Sequence, residues 1–169
     1  MNTEHELVNL SRTQISTAEA EGGVAKVIVT CAAGAVAQET RDRVVEALTA
    51  VLQNSALGAD DTQEWQETLP TWLLDRFTSP KTPEQANEWL ATWRRLPPAE
   101  RKQFELDSWD LNSWINWFTE EDRAWRWVGS RVDSKTSFTV FLAAEGWPFA
   151  WQALEWLIIQ AGGMPELVG

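Results

Sequence analysis

Arg123-Ala-Trp-Arg-Trp-Val-Gly-Ser-Arg-Val132, then Asp133-Ser-Lys-Thr136, then Ser137-Phe-Thr-Val-Phe-Leu-Ala-Ala144, is the run on which the fold turns. Strand side chains alternate with period two, so Trp125 and Trp127 fall on one side of an extended chain and Arg126 and Val128 on the other. Gly129 interrupts the pattern, as glycine does at a bulge or a close backbone approach. The second half is apolar on both sides. Phe138, Val140 and Leu142 share one side and Thr139, Phe141 and Ala143 the other, the signature of a strand inside a sheet. The link Asp133–Thr136 is polar and longer than the tightest hairpin turn. The reading is a β-hairpin, 124–132 with 137–144.

Beyond the hairpin, Gly146 ends the second strand and Pro148 suits the first turn of a helix, where its missing N–H costs nothing. Ala150, Leu154, Leu157, Ile158 and Ala161 repeat at the spacing of one helical face, and Trp151, Trp156 and Ile159 widen it. This predicts a helix over 148–161 that packs on the sheet, stopped by Gly162-Gly163 in a left-handed conformation.

Toward the N-terminus, Thr82-Pro-Glu-Gln85 reads as a helix start with a capping box, opening a helix over 83–95 with Ala86, Trp89, Leu90 and Trp93 on its apolar face. Leu96-Pro97-Pro98 stops it and opens another, about 98–105. A third covers about 109–118, with Trp114, Ile115, Trp117 and Phe118 turned partly inward. Residues 62–80 read as irregular, anchored by Trp65, Trp72, Leu73, Leu74 and Phe77. Val44, Val45, Leu48, Val51 and Leu52 mark a helix over 36–53. Val24 to Cys31 is an early strand. Residues 1–20 form an N-terminal arm with two open readings, a short helix from Leu7, Leu10 and Ile15 or a strand from Thr13, Ile15 and Thr17. In the second case 12–18 and 24–31 would pair as a first hairpin. The fold class expected is α+β, a small mainly antiparallel sheet with segregated helices in one domain spanning 1–169.

Composition narrows function by exclusion. The 169 residues carry a net charge of −11, which opposes direct binding to nucleic acid or to an anionic membrane. No apolar run has the length of a membrane span. Cys31 is the single cysteine, so no internal disulfide can form, and it reads as a core thiol. The opening Met1-Asn-Thr-Glu-His-Glu6 lacks the basic and apolar regions of a secretory signal. A cytoplasmic protein is expected. Ten arginines to four lysines, with abundant alanine, hint at a GC-rich bacterial genome. There is no Gly-rich phosphate loop and no Gly-x-Ser-x-Gly. One cysteine and the lone histidine, His5, cannot build a zinc site. Neither metal nor cofactor is expected, and no catalytic residue is assigned.

Twelve tryptophans without a tyrosine is the unusual feature. Six acids and no base lie between residues 103 and 122, together with Trp109, Trp114 and Trp117. Five acids and no base lie between 57 and 75, with Trp65 and Trp72. Carboxylates among large aromatics suit a surface that grips a basic partner, the charge steering encounter and the aromatics anchoring it. The same pattern arises from a wet acidic face over a Trp-rich core. The partner-binding residues expected are Glu105, Asp107, Trp109, Asp110, Glu120, Glu121 and Asp122. The leading expectation is therefore a non-enzymatic bacterial interaction module, an immunity protein, antitoxin or inhibitor that masks a basic protein such as a toxin. The alternative is a small-ligand or carbohydrate-binding domain, or a hydrolase, that uses tryptophan platforms and a carboxylate pair. That alternative requires two or three indole rings and two carboxylates around one concave pocket.

Overall fold

The hairpin is present and supplies half of a four-stranded sheet. The computed structural model describes residues 2–169, so the first residue of the N-terminal arm lies outside it. Among the described residues the order is α1 (Thr3–Leu10), α2 (Thr17–Glu21), β1 (Ala25–Cys31), α3 (Ala37–Gln53), α4 (Thr62–Thr68), α5 (Thr71–Leu74), α6 (Pro83–Arg95), α7 (Pro98–Leu106), α8 (Leu111–Asn116), β2 (Trp125–Ser134), β3 (Ser137–Ala144), α9 (Gln152–Ala161) and β4 (Gly163–Val168). The sheet order is β2-β3-β1-β4, every neighbour antiparallel. The α+β class with separate helices is as the sequence predicts. No helix among the described residues is long and apolar enough to cross a membrane.

β3 lies between β2 and β1, which is why both of its faces are apolar: Phe138, Val140 and Leu142 are fully buried, and Thr139 and Phe141 nearly so. The register shifts between Trp127 and Gly129, so a bulge does occur there. Gly129 is also a close approach. A Cβ at that position would meet Ile15 Cδ1, so the missing side chain lets the α1–α2 connection lie against the strand.

The inner face of the sheet packs on α3 and α9. Val27, Val29, Trp127 and Val140 from the strands meet Val44, Leu48, Leu154 and Leu157 in one buried cluster. The free edge of β2 is covered by α1. Trp127 donates its backbone N–H to Glu6 Oε1 (2.8 Å), and Ser130 donates its N–H to the Arg12 carbonyl (3.2 Å). Unpaired strand edges invite foreign strands, and this edge is closed. Glu6 is itself buried and takes a two-pronged ion pair from Arg123, at 3.1 and 2.7 Å. Arg41 of α3 ties three elements, donating to Ser130 Oγ and to the Leu10 carbonyl, each at 2.8 Å.

Several boundaries and elements differ from the sequence reading. Residues 12–18 form no strand; they connect α1 to α2, which already begins at Thr17, and β1 pairs with β3 and β4 instead. The final helix begins at Gln152, not 148. Pro148 follows a cis peptide bond after Trp147, in the turn between β3 and α9 rather than in the helix. The helix expected over 109–118 is shorter because Asp110 caps it from outside the first turn and Trp117 already ends it. Residues 62–80 contain two short helices, α4 and α5, on either side of Pro70. Gly162 is left-handed as expected, with φ +109°. The chain then continues into β4, an edge strand that carries Pro165 opposite Val29. Proline lacks the N–H a central strand needs, and edge strands are where it is tolerated.

Candidate functional site

The α6–α7 pair is built differently from the rest. Neither helix has a fully buried residue. Its start is the predicted capping box: Gln85 donates its N–H to Thr82 Oγ1 (3.2 Å) and Thr82 donates its N–H to Gln85 Oε1 (3.0 Å), with Pro83 in the first turn. Trp89 of α6 stacks on Phe104 of α7, ring centres 5.2 Å apart. Trp93 donates its indole N–H to Glu105 Oε1 at 2.7 Å. Arg101 lies over the Trp93 ring and donates to the Trp93, Leu96 and Arg94 carbonyls at the end of α6, where a cation complements the helix dipole.

Two further ties join this pair to the sheet layer. The segment leading into α6 runs beside the segment leading into α8. Thr78 donates its N–H to the Trp109 carbonyl (2.9 Å), and Lys81 Nζ donates to the Ser108 carbonyl (2.9 Å). On the other side, Lys102 Nζ reaches Glu155 Oε1 at 2.7 Å. Glu155 is buried on α9, and its second oxygen has no hydrogen-bond partner.

Between α6–α7 and the starts of α8 and α9 lies a cleft of about 720 Å³. Trp89, Trp109 and Trp117 line it, with Glu105, Asp110 and Lys81 among them. Asn112, Ser113 and Gln152 add polar groups. Its size falls within the usual range for small-molecule sites. Trp117 is 44% exposed, although its neighbour Trp114 is wholly sealed. The indole N–H groups of Trp89 and Trp109 are buried and have no hydrogen-bond partner. Asp110 is buried and firmly placed, accepting from Ser113 N and Ser113 Oγ, both at 2.9 Å, with Lys81 Nζ 3.7 Å away. Lys81 Nζ also sits 5.8 Å from the centre of the Trp89 ring. A second concavity adjoins the first and shares Lys81, Trp89 and Ser108 with it; Glu88 and Asp107 line its far side.

The seven expected binding residues are thus divided. Glu105, Trp109 and Asp110 line the cleft, and Asp107 lines the adjoining concavity while accepting from Gln103 Nε2 at 2.9 Å. Glu120, Glu121 and Asp122 are exposed on the turn before β2 and line neither; Asp122 accepts from Thr119 Oγ1 (2.9 Å). The carboxylates that share one cavity are Glu105 and Asp110, a pair not singled out from spacing. Trp89, Trp117 and Lys81 complete the lining without having been named as site residues. Trp89 falls on the predicted apolar face of the 83–95 helix, and helical spacing alone does not distinguish a cleft ring from a core ring. Of the second acidic window, Trp65 is buried and donates to the Gly58 carbonyl (2.9 Å), and Trp72 donates to Glu46 Oε2 (3.3 Å). His5 is exposed on α1 and Cys31 buried on β1. Among the described residues no three His, Cys, Asp or Glu side chains are placed to hold a metal ion.

Comparison with protein-family models, with curated proteins and with solved structures finds no match.

Proposed function

We propose that the cleft between α6–α7 and α8–α9 binds a small polar ring-shaped ligand of the carbohydrate class. The observation that carries this reading is the meeting of three indole rings and two carboxylates in one cavity of about 720 Å³. Sugar rings have an apolar face that stacks on an aromatic and an equator of hydroxyls that needs acceptors and donors. Here Trp109 and Trp117 provide the platforms, and Trp89, stacked on Phe104 with Lys81 over its ring, forms a wall. Glu105 and Asp110 accept, and Lys81, Asn112 and Gln152 donate. The function proposed is recognition rather than turnover. Both Asp110 oxygens already accept from Ser113, and Glu105 already takes the Trp93 indole N–H. Masking of a basic protein needs the acidic residues of 103–122 on one surface, and their division between the cleft and the Glu120–Asp122 turn gives that reading less support. A cytoplasmic setting remains part of the proposal.

The test is a titration of intrinsic tryptophan fluorescence with a panel of neutral, acidic and amino sugars, run in parallel on Trp117→Ala. Saturable quenching that weakens at least about tenfold in the variant is expected, the scale of one lost aromatic contact. A panel with no saturable member, or binding indifferent to Trp117, would sink the reading.

A further inference from the structure

We propose that the ligand of this cleft carries a positive charge, a protonated amino sugar being the class that meets every contact on offer. The inference rests on the carbohydrate reading above and adds the sign of the charge. Four carboxylates surround the cleft and its adjoining concavity: Glu105 and Asp110 on one side, Glu88 and Asp107 on the other. Among the described residues Lys81 is the one cationic side chain in either lining. The whole chain is at −11, so its field draws cations toward any concave acidic site. Indole faces add to this, because their π-clouds attract an ammonium.

Lys81 itself displays the contacts an amine ligand would make. Its ammonium is held by a backbone carbonyl (Ser108, 2.9 Å), a carboxylate (Asp110, 3.7 Å) and an indole face (Trp89, 5.8 Å). These are the three kinds of group that recognise an alkylammonium. Trp109, Trp117 and Glu105 add two of them, indole and carboxylate, to the lining of the same cleft. Glu105 has one oxygen on the Trp93 indole, which leaves the other for a ligand ammonium. The hydroxyls of an amino sugar would meet Asn112 and Gln152, which a simple alkylamine cannot do.

The experiment compares glucosamine, N-acetylglucosamine and glucose by calorimetric titration of the full chain in slightly acidic buffer, where the free amine is protonated. Glucosamine is expected to bind about tenfold more tightly than either neutral sugar, the scale of one desolvated cation–π contact, and to lose that margin as salt rises. Two variants give opposite signs. Glu105→Gln keeps an acceptor for Trp93 and removes charge, so it should erase most of the preference, glucosamine losing more affinity than glucose or N-acetylglucosamine measured on the same variant. Lys81→Met removes the competing ammonium and should raise the ratio of glucosamine to glucose affinity. Neutral sugars binding as tightly as glucosamine, with Trp117→Ala still damaging, would overturn the charge and spare the cleft. Binding of none of the three would overturn both.

Discussion

Two groups of tryptophans in this chain do different work, and burial separates them. In the sheet layer, Trp114, Trp125, Trp127 and Trp156 are sealed. Phe77 stacks on Trp156 at 4.8 Å, Trp114 meets Phe118 at 4.4 Å, and Phe118 meets Trp125 edge-on at 6.1 Å, a continuous aromatic spine under the strands. Around the cleft, Trp89 and Trp109 are half-buried and Trp117 is exposed, on α6, which buries nothing completely, or at the ends of α8. One residue type thus serves as filler in one region and as lining in the other. What decides is whether the far side of the ring meets protein. Large aromatics in a core contribute through contact area on both faces; a partly uncovered ring leaves some of that area open.

The sharpest way to break this division is to truncate one ring from each group. Trp127→Ala empties a fully buried site between the sheet and its helices, and should cost about 3–5 kcal/mol of unfolding free energy, the range for large-to-small changes in a core. Trp117→Ala should cost about 1 kcal/mol or less while removing a cleft wall. Urea denaturation of both variants checks the pair. Equal losses would mean that the cleft rings are core residues and that the division is false.

The division also explains what could be read from the residues alone. The hairpin was legible because alternation over 124–132 and apolar faces on both sides of 137–144 are local signals, and a sheet interior imposes them directly. The capping box at Thr82 and the Gly162 stop were legible for the same reason. β4 was not. Gly163-Met-Pro-Glu-Leu-Val168 has weak alternation and a proline, and it is a strand only because β1, more than 130 residues earlier, offers the partner. The cleft was half legible. Trp109, Asp110 and Glu105 lie close together in sequence, but Trp89 and Lys81 join them through the Thr78–Trp109 and Lys81–Ser108 hydrogen bonds, and no spacing rule encodes those. Acid density pointed equally to Glu120–Asp122, which is a solvated turn, because composition does not report direction.

The next test concerns the charged ties of the two regions. Glu6 and Arg123 are both buried in the sheet layer, whereas in the cleft region Glu155 is buried but its partner Lys102 is 61% exposed. Burial pulls Arg123 below the usual guanidinium range, and the Glu6 charge opposes that pull. Glu6→Gln would leave an uncompensated buried cation and weaken the cover over the Trp127 N–H. A loss of about 3 kcal/mol is expected, the scale for removing one partner of a buried pair. The double variant Glu6→Gln, Arg123→Met should recover part of it, since the unpaired charge is gone. Thermal or urea unfolding of the three proteins supplies the cycle; no recovery in the double variant would show that the pair is not the cause.

The smallest effect lies at the exposed end of the same layer, where the α1–α2 connection turns back over β2. Glu19 closes the capping box of α2. Ser16 donates to its carboxylate from both hydroxyl and backbone N–H, at 2.7 and 3.1 Å, and Arg12 adds a pair at 2.9 Å. The Ser16 hydroxyl is the largest cause, then the Ser16 backbone and Arg12, and together they bring the Glu19 pKa from 4.5 down to about 2. The folded value is below the unfolded one, so the contribution is present in full above the unfolded pKa. It declines as pH falls below 4.5 and is gone once pH has passed through about 2. Because the carboxylate is exposed, the effect on global stability is slight and the residue-resolved titration is the proper measurement. Carbon-detected NMR should place the Glu19 midpoint near 2 in the native chain, and Ser16→Ala should raise it toward the ordinary value by removing the strongest donor. A native midpoint already at the ordinary value would mean that the box is open in solution. The α1–α2 connection would then still lie on β2 through Ile15 and Arg12.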